Sequence, residues 1–272
     1  MGSPIELPPP PLPPPPPLHP KGIGDLLEAA FDVYRARWVT LIEIAAVVAV
    51  PLTVLQYFAN GEVAKANATI QKGAAHVPPA AERALAGAAA VAIVTVLIYL
   101  ILTGAITWAA AGALVGREPT FRECYRVGCA RMWSILLVGV LSALAMMGGL
   151  ILLIVPGFIV LTHLVCGVPA IVMEGKRGRA ALSRSWNLVR HNAWRTFGAI
   201  VITGFITSGV TGLLGAIFRS GWFLRGIAAG VGSAIVMPFS TLVLVLVYFD
   251  LRVRKENLDL ATLERELQAA AP

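Results

Sequence analysis

Seven ionisable side chains in or beside long apolar runs are the residues of this sequence most open to chemistry: Glu43, His163, Glu174, Arg184, Arg190, Asp250 and Arg252. Placing such groups within a bilayer costs roughly 2.5–3.5 kcal/mol or more unless they are paired or solvated, so each is a functional candidate. Glu43 lies five residues past Trp38, shallow enough to reach the cytoplasmic interface. His163 is the deepest of them. It would serve either as a proton-relay group or as a neutral imidazole hydrogen-bonded to a neighbouring span. Asp250 sits two residues before Arg252 at the end of the last run and is expected to form an interfacial ion pair with Arg184 or Arg190. Glu174, Arg184, Arg190 and Arg252 flank the runs as functional or lipid-facing candidates.

A catalytic assembly needs partners at workable spacing, and none is legible. Of the four histidines, His19, His76, His163 and His191, no two share a helical face, and no HExxH pattern occurs. Cys124 and Cys129 point roughly 140° apart on a helix at 100° per residue, and Cys166 stands alone. The three cysteines make neither a disulfide framework nor a zinc spacing. The expectation is therefore a protein that is not an enzyme and has no catalytic residue, cofactor or metal.

The elements that carry these residues follow from composition. The chain is 57% hydrophobic and 14% charged, with a mean hydropathy of +0.76. Soluble domains carry roughly 25% charged residues. This composition argues against a soluble enzyme, a disordered regulator and a nucleic-acid-binding domain, so no nucleic-acid partner is expected. Apolar runs long enough for a hydrocarbon core of about 30 Å predict an all-α integral membrane protein. Six transmembrane helices are expected at about 38–58, 85–115, 133–155, 158–173, 194–218 and 222–249. Pro156-Gly157 reads as a tight turn that makes the third and fourth spans an antiparallel hairpin, and 219–221 as a similar turn before the sixth.

Charge gives the orientation. With the amino terminus inside, 17 of the 22 basic residues fall on inner segments and five on outer ones. This positive-inside asymmetry predicts cytoplasmic N- and C-termini, with one sizeable outer loop at about 60–83. No cleavable signal peptide is expected, the first span itself acting as the insertion signal. Residues 4–20 hold eleven of the nineteen prolines and can form only solvated polyproline II. Residues 1–21 thus read as a disordered Pro-rich tail, either a semi-rigid extension or a ligand for a Pro-reading domain.

Aligning Trp38, Trp133 and Trp194 reveals a repeat. Places twelve, eight and five residues upstream hold Leu26, Ala30 and Val33 in one copy, Phe121, Tyr125 and Gly128 in the next, and Leu182, Trp186 and Val189 in the third. These offsets share one helix face, while the opposite faces carry charge, including Arg122, Arg126, Arg184 and Arg190. The pattern predicts three hairpins, each preceded by a cytoplasmic-side interfacial amphipathic helix, in units at about 24–115, 120–173 and 181–249. Basic faces of this kind attract anionic lipid headgroups. The whole is a six-span membrane domain over 22–258, followed by a short cytoplasmic C-terminal tail at 259–272. Small residues recur at every fourth place, Gly204, Ser208, Gly212 and Ala216 on the fifth span and Gly226, Gly230 and Ala234 on the sixth. Such stripes either close the hairpin on itself or support a homo-oligomer. Pro51, Pro169 and Pro238 each allow a kink.

Several segments together resemble a large bacterial multi-pass membrane family. They are Gly24-Asp25-Leu26-Leu27 with Ala30-Phe31 and Tyr34-Arg35, Pro156-Gly157, the run Pro169 to Gly175, Ala181-Leu182 with Ser185-Trp186 and Leu188-Val189, and Tyr248 to Arg252. That family includes the membrane domain attached to some glycerophosphoryl diester phosphodiesterases, and many standalone proteins. The resemblance covers about 22–258 and is most specific over 156–189. It implies a place in the bacterial inner membrane, and no phosphodiesterase activity, because those enzymes carry it on a separate soluble barrel. The expected role is that of an accessory or organising component engaging anionic lipid or a partner protein. The alternative is a small transporter or lipid-moving protein with a path between the hairpins, past His163.

Overall fold

The computed structural model describes residues 22–71, 79–152, 154–217, 222–258 and 260–270. The described residues are helical throughout apart from short connections, with no strand among them. The order is α1 (Ile23–Gln71), α2 (Pro79–Leu114), α3 (Phe121–Leu152), α4 (Ile154–Leu164), α5 (Gly167–Glu174), α6 (Arg179–Val189), α7 (Ala193–Ile217), α8 (Trp222–Glu256) and α9 (Leu260–Ala270). Six helical segments among the described residues are long and apolar enough to cross a membrane, with α4 and α5 together making one of them. The Pro-rich tail and the turn at 219–221 lie outside the described residues.

Several expected boundaries move. The outer loop expected at 60–83 is largely helix, since α1 continues to Gln71 and α2 begins at Pro79. Pro156 and Gly157 are not a turn but lie in the first turn of α4. Proline fits there because its missing N–H is one that a first turn leaves unpaired anyway. Gly149 of α3 is needed for proximity: a Cβ there would fall 2.7 Å from the Gly157 Cα, so the two backbones touch. The fourth span is broken at Val165-Cys166. Pro169 explains the break, because its ring is incompatible with a helical carbonyl four residues back, at Val165. Pro51 and Pro238 lie inside continuous helical segments.

The three Trp-aligned copies differ in detail. The first has a kink at Arg37 (φ −129°, ψ 18°), one residue before Trp38, and the third has a turn over 190–192 before α7. The second copy runs through Trp133 within one helix, α3. Nor do the aligned faces share one environment. Leu26, Ala30 and Val33 are buried by protein, whereas Phe121 and Trp186 are exposed. The amino-terminal part of α1 reaches its neighbours directly, with the Tyr34 hydroxyl donating to the Ile235 carbonyl at 3.0 Å. Its apolar face is therefore covered by α8 rather than turned to lipid.

Small residues pack where backbones meet. Gly226 and Gly230 of α8 receive Val54 and Val50 of α1, and the Thr53 hydroxyl donates to the Gly226 carbonyl at 3.1 Å. The α8 stripe thus pairs with the first span and not with α7, as a self-closing hairpin would require. On α7, Gly204, Ser208, Gly212 and Ala216 are exposed, and at Gly232 of α8 it is Leu214 and Thr211 of α7 that approach. The tightest crossing joins α2 and α3, where a Cβ on Gly128 would strike the Ile101 carbonyl oxygen and one on Gly104 would meet the Gly128 Cα at 3.0 Å. Gly128→Ala gains up to about 1 kcal/mol in helix propensity but meets a rigid backbone, where overpacking costs about 1–3 kcal/mol. A lower thermal midpoint of the solubilised protein is expected. Gly139→Ala, which has nothing within 4 Å, should not lower it.

Glycine also closes α2. Gly116 takes a left-handed conformation (φ 74°), the Arg117 N–H donates to the Gly112 carbonyl at 2.9 Å, and the Gly116 N–H to Ala113 at 3.3 Å. This is the paired bonding of a Schellman cap, and it sends the chain back toward α3.

Candidate functional site

Charged contacts concentrate at one end of the helices. There the Arg37–Glu118 pair, the Trp108 indole N–H to Glu123 (3.3 Å), and the ion pairs of α6, α8 and α9 all gather. The expected tail at 259–272 contributes to this end as α9, with Leu263 and Leu267 buried and Glu266 drawn into the charge network. It is a packed element rather than a tail because its leucines repeat on one helical face.

Glu174, the last residue of α5, is the hub of this end. Its two carboxylate oxygens share the single Arg184 Nε–H, at 2.8 and 2.9 Å, and Oε1 also accepts from the Tyr248 hydroxyl. Arg252 Nε lies 3.8 Å away and Lys176 Nζ 3.7 Å away. Arg184 also grips Glu256 through both terminal nitrogens, one at 2.8 Å. Arg252 donates to Glu256 at 3.0 Å and bidentately to Glu266 at 2.6 and 2.9 Å. Three carboxylates therefore face Arg184, Arg252 and Lys176, and their charges balance. The Glu256 hydrogen bonds, joined by those to Glu174 and outweighing the opposite effect of burial, push the Arg184 guanidinium above its ordinary value. Bidentate geometry of this kind fixes direction as well as distance.

Local structure sets these side chains. Gly175 in the left-handed region (φ 65°) ends α5 directly after Glu174, and Gly178 (φ 51°) starts α6. Tyr248, Arg252 and Glu256 succeed one another at four-residue steps on α8, so they share a face. The break before α5 has its own device. The Cys166 N–H donates to the Ser185 hydroxyl oxygen at 3.1 Å, and that hydroxyl donates to the His163 carbonyl at 2.6 Å. Ser185, with no exposed surface, thereby satisfies two backbone groups that the broken helix leaves open.

Glu174, Arg184 and Arg252 are thus brought together, while Glu43, His163, Arg190 and Asp250 stand outside this cluster. Asp250 pairs with Arg254 at 2.8 Å and Arg195 at 3.6 Å, and not with Arg184 or Arg190. The correction has a simple cause: Arg254 is one helical turn away on the same helix, while Arg184 is already engaged by Glu174 and Glu256. Arg190 is exposed at the end of α6. Glu43 is exposed on α1. His163 is buried, with Nδ1 2.8 Å from the Ile159 carbonyl of its own helix rather than a neighbouring one, and its ring lies 4.3 Å from that of Trp186. A carbonyl partner requires a proton on Nδ1. Among the described residues no group of three or more His, Cys, Asp or Glu is placed to hold a metal.

Sequence reasoning gives no site role to Tyr248, Glu256, Glu266, Arg131 or Ser185, although Tyr248 and Ser185 stand in the segments that carry the resemblance. Arg131 of α3 donates to the carbonyls of Ile171, at 2.6 Å, and Val172, which lie in the last turn of α5. A cation there answers both the open carbonyls and the negative end of the helix. Beside it lies a cleft of about 620 Å³ between α3, residues 175–177 and α9.

No curated protein and no solved structure matches this chain. Residues 125–251, which run from α3 through α8 and include Glu174, Arg184, Tyr248 and Asp250, match a family described as a domain of unknown function, DUF7847.

Proposed function

We propose that this chain is a non-catalytic multi-pass protein of the bacterial inner membrane, an accessory or organising component whose cytoplasmic end engages anionic lipid headgroups or a partner protein. The observation that carries the reading is the company of exposed tryptophans and exposed arginines at the starts of the spans. Trp38, Trp133 and Trp194 are 54%, 69% and 83% exposed. Arg122 precedes Trp133 on the same helix, and Arg177, Arg179 and Arg190 precede Trp194; all four arginines are exposed. Amphipathic indoles settle at headgroup depth, and basic residues beside them mark the cytoplasmic leaflet. The first, third and fifth spans would each begin at that level, in keeping with three outward-and-return units. Both termini are cytoplasmic in this reading. The resemblance to membrane domains of glycerophosphoryl diester phosphodiesterases fits such a placement and carries over no phosphodiesterase chemistry.

Arg184 is a poor probe of this role because it holds Glu174 and Glu256. Arg179 and Arg190 are better, being exposed on α6 and at its end. Each basic residue near an anionic surface contributes about 1 kcal/mol, so the double reversal Arg179→Glu, Arg190→Glu should reduce co-purifying anionic lipid several-fold. Lipid analysis of protein extracted from membranes by a neutral detergent reads this out. Unchanged anionic lipid, together with an unchanged set of cross-linked partner proteins, would remove the support for this reading.

A further inference from the structure

We infer that a groove between α1, α7 and α8, at the end of α8 remote from the Glu174 network, binds the phosphodiester group of a membrane phospholipid. Its volume of about 420 Å³ is within the roughly 300–1,000 Å³ of pockets that take small molecules. Arg225, Ala229 and Ser233 of α8 line it at four-residue steps and so share one helical face. Thr211 and Gly215 of α7 and Tyr57 of α1 supply the other walls. The small residues leave room between a guanidinium and a hydroxyl about 12 Å further along the helix. Among its described lining residues there is no carboxylate. Two of the hydroxyls lack a partner within the protein, since neither Tyr57 nor Ser233 makes a hydrogen bond to the described residues. Ser233 differs in this from Thr211, Ser240 and Thr241, whose hydroxyls each donate to a carbonyl of their own helix. In a membrane span, a hydroxyl without such a bond calls for another partner. Arg225 is exposed and has contacts of its own within the chain; a guanidinium carries five N–H donors, more than one partner uses.

The lining selects the ligand. A guanidinium, a phenol and an aliphatic hydroxyl present donors and a single positive charge, which the single negative charge and free oxygens of a phosphodiester answer. What lies next to the groove makes that phosphodiester a lipid's. One turn further along α7, over Ala199 to Thr207, α7 and α8 enclose a second cavity of about 290 Å³. Val243, Leu244 and Val247 make its wall apolar. Its hydroxyls, on Thr203, Thr207, Ser240 and Thr241, are all spent on carbonyls of their own helices. Donors first and hydrocarbon surface next, along one seam between two spans, is the order of headgroup and acyl chain in a phospholipid. The site goes beyond the proposed function, which concerns the other end of the helices, and rests on that reading only for calling this leaflet the outer one.

The test titrates the full-length protein, in a neutral detergent, with dioctanoyl phosphatidylglycerol and counts bound lipid by native mass spectrometry. Dioctanoylglycerol, which has the same chains and no phosphate, is titrated in parallel. Saturable binding of the phospholipid is expected, with the phosphate-free lipid at least tenfold weaker. Arg225→Gln should weaken phospholipid binding about tenfold or more, as expected for a lost charge-assisted hydrogen bond. Tyr57→Phe with Ser233→Ala should weaken it several-fold, as expected for two neutral ones. Ala229→Phe, which fills the groove without altering charge, should act like Arg225→Gln and stands in if that variant fails to fold. Absence of saturable binding, equal binding of the phosphate-free lipid, or binding untouched by both Arg225→Gln and Ala229→Phe overturns the inference. Arg179→Glu with Arg190→Glu separates this site from the proposed cytoplasmic surface. That double variant should leave the Arg225-dependent lipid in place; its loss there would assign the lipid to the basic surface and overturn the groove.

Discussion

Replacing Glu174 by glutamine should lower the stability of the solubilised protein by about 3 kcal/mol, one of the two largest effects expected of a single substitution in this chain. The side chain is 11% exposed and accepts from Arg184 and Tyr248, with Arg252 and Lys176 nearby. Removing one partner of a buried ion pair typically costs about 3–5 kcal/mol, because the remaining charge is left without its counter-ion. Here the value sits at the lower end, since Arg184 keeps Glu256 and Arg252 keeps Glu256 and Glu266. Glutamine preserves volume and one acceptor oxygen for Tyr248, so the loss reports charge rather than packing. The exposed pair Lys65–Glu62 provides the contrast, as an i,i+3 surface pair worth no more than about 0.5 kcal/mol. Denaturant or thermal unfolding of Glu174→Gln beside Glu62→Gln makes the comparison. Equal small effects would mean that the cluster at the end of α5 does not hold α5, α6 and α8 together.

Much of the helical frame is legible in the sequence, and the network is not. The apolar runs point to six crossing segments because the bilayer imposes a length on each. Trp38 and Trp194 mark true discontinuities, at Arg37 and at 190–192, while Trp133 does not. A tryptophan reports depth in the headgroup region and says nothing about whether the backbone bends there. Glu174, Arg184 and Arg252 are each visible as charges at the ends of apolar runs. Their partnership is hidden because it joins positions ten and 78 residues apart, a relation set by how α5, α6 and α8 pack. Arg252 and Glu256, one turn apart, are legible in principle, as is the α9 face of Leu263 and Leu267. For Asp250 the expectation of a distant arginine fails where the helical rule already offers Arg254. The destination of the small-residue stripe on α8 cannot be read at all. Spacing shows that a backbone can approach, and only the fold decides that it is that of α1.

Ser185→Ala should cost about 2–6 kcal/mol although it removes a single oxygen atom. The hydroxyl serves two backbone groups at once, accepting from the Cys166 N–H and donating to the His163 carbonyl. Each buried group left unpaired costs about 1–3 kcal/mol, and Ser185 has no exposed surface through which water could take its place. In apolar surroundings a broken helix survives where something else satisfies its freed polar groups. Pro169 creates that need, since it disfavours helix at Val165, directly before Cys166. The two residues should therefore be energetically coupled. In a Pro169→Ala background α4 and α5 can join, giving the Cys166 N–H the Thr162 carbonyl and the His163 carbonyl the Gly167 N–H. The cost of Ser185→Ala should then shrink by about 1 kcal/mol or more, within the range of coupling found for residues sharing one hydrogen-bond network. A double-mutant cycle on thermal or denaturant unfolding measures this directly. Strict additivity would mean that the serine closes a break with another origin. In that case the gap before α5 is imposed by the packing of Gly167 against Val138, where a Cβ would come within 2.9 Å, and not by the proline.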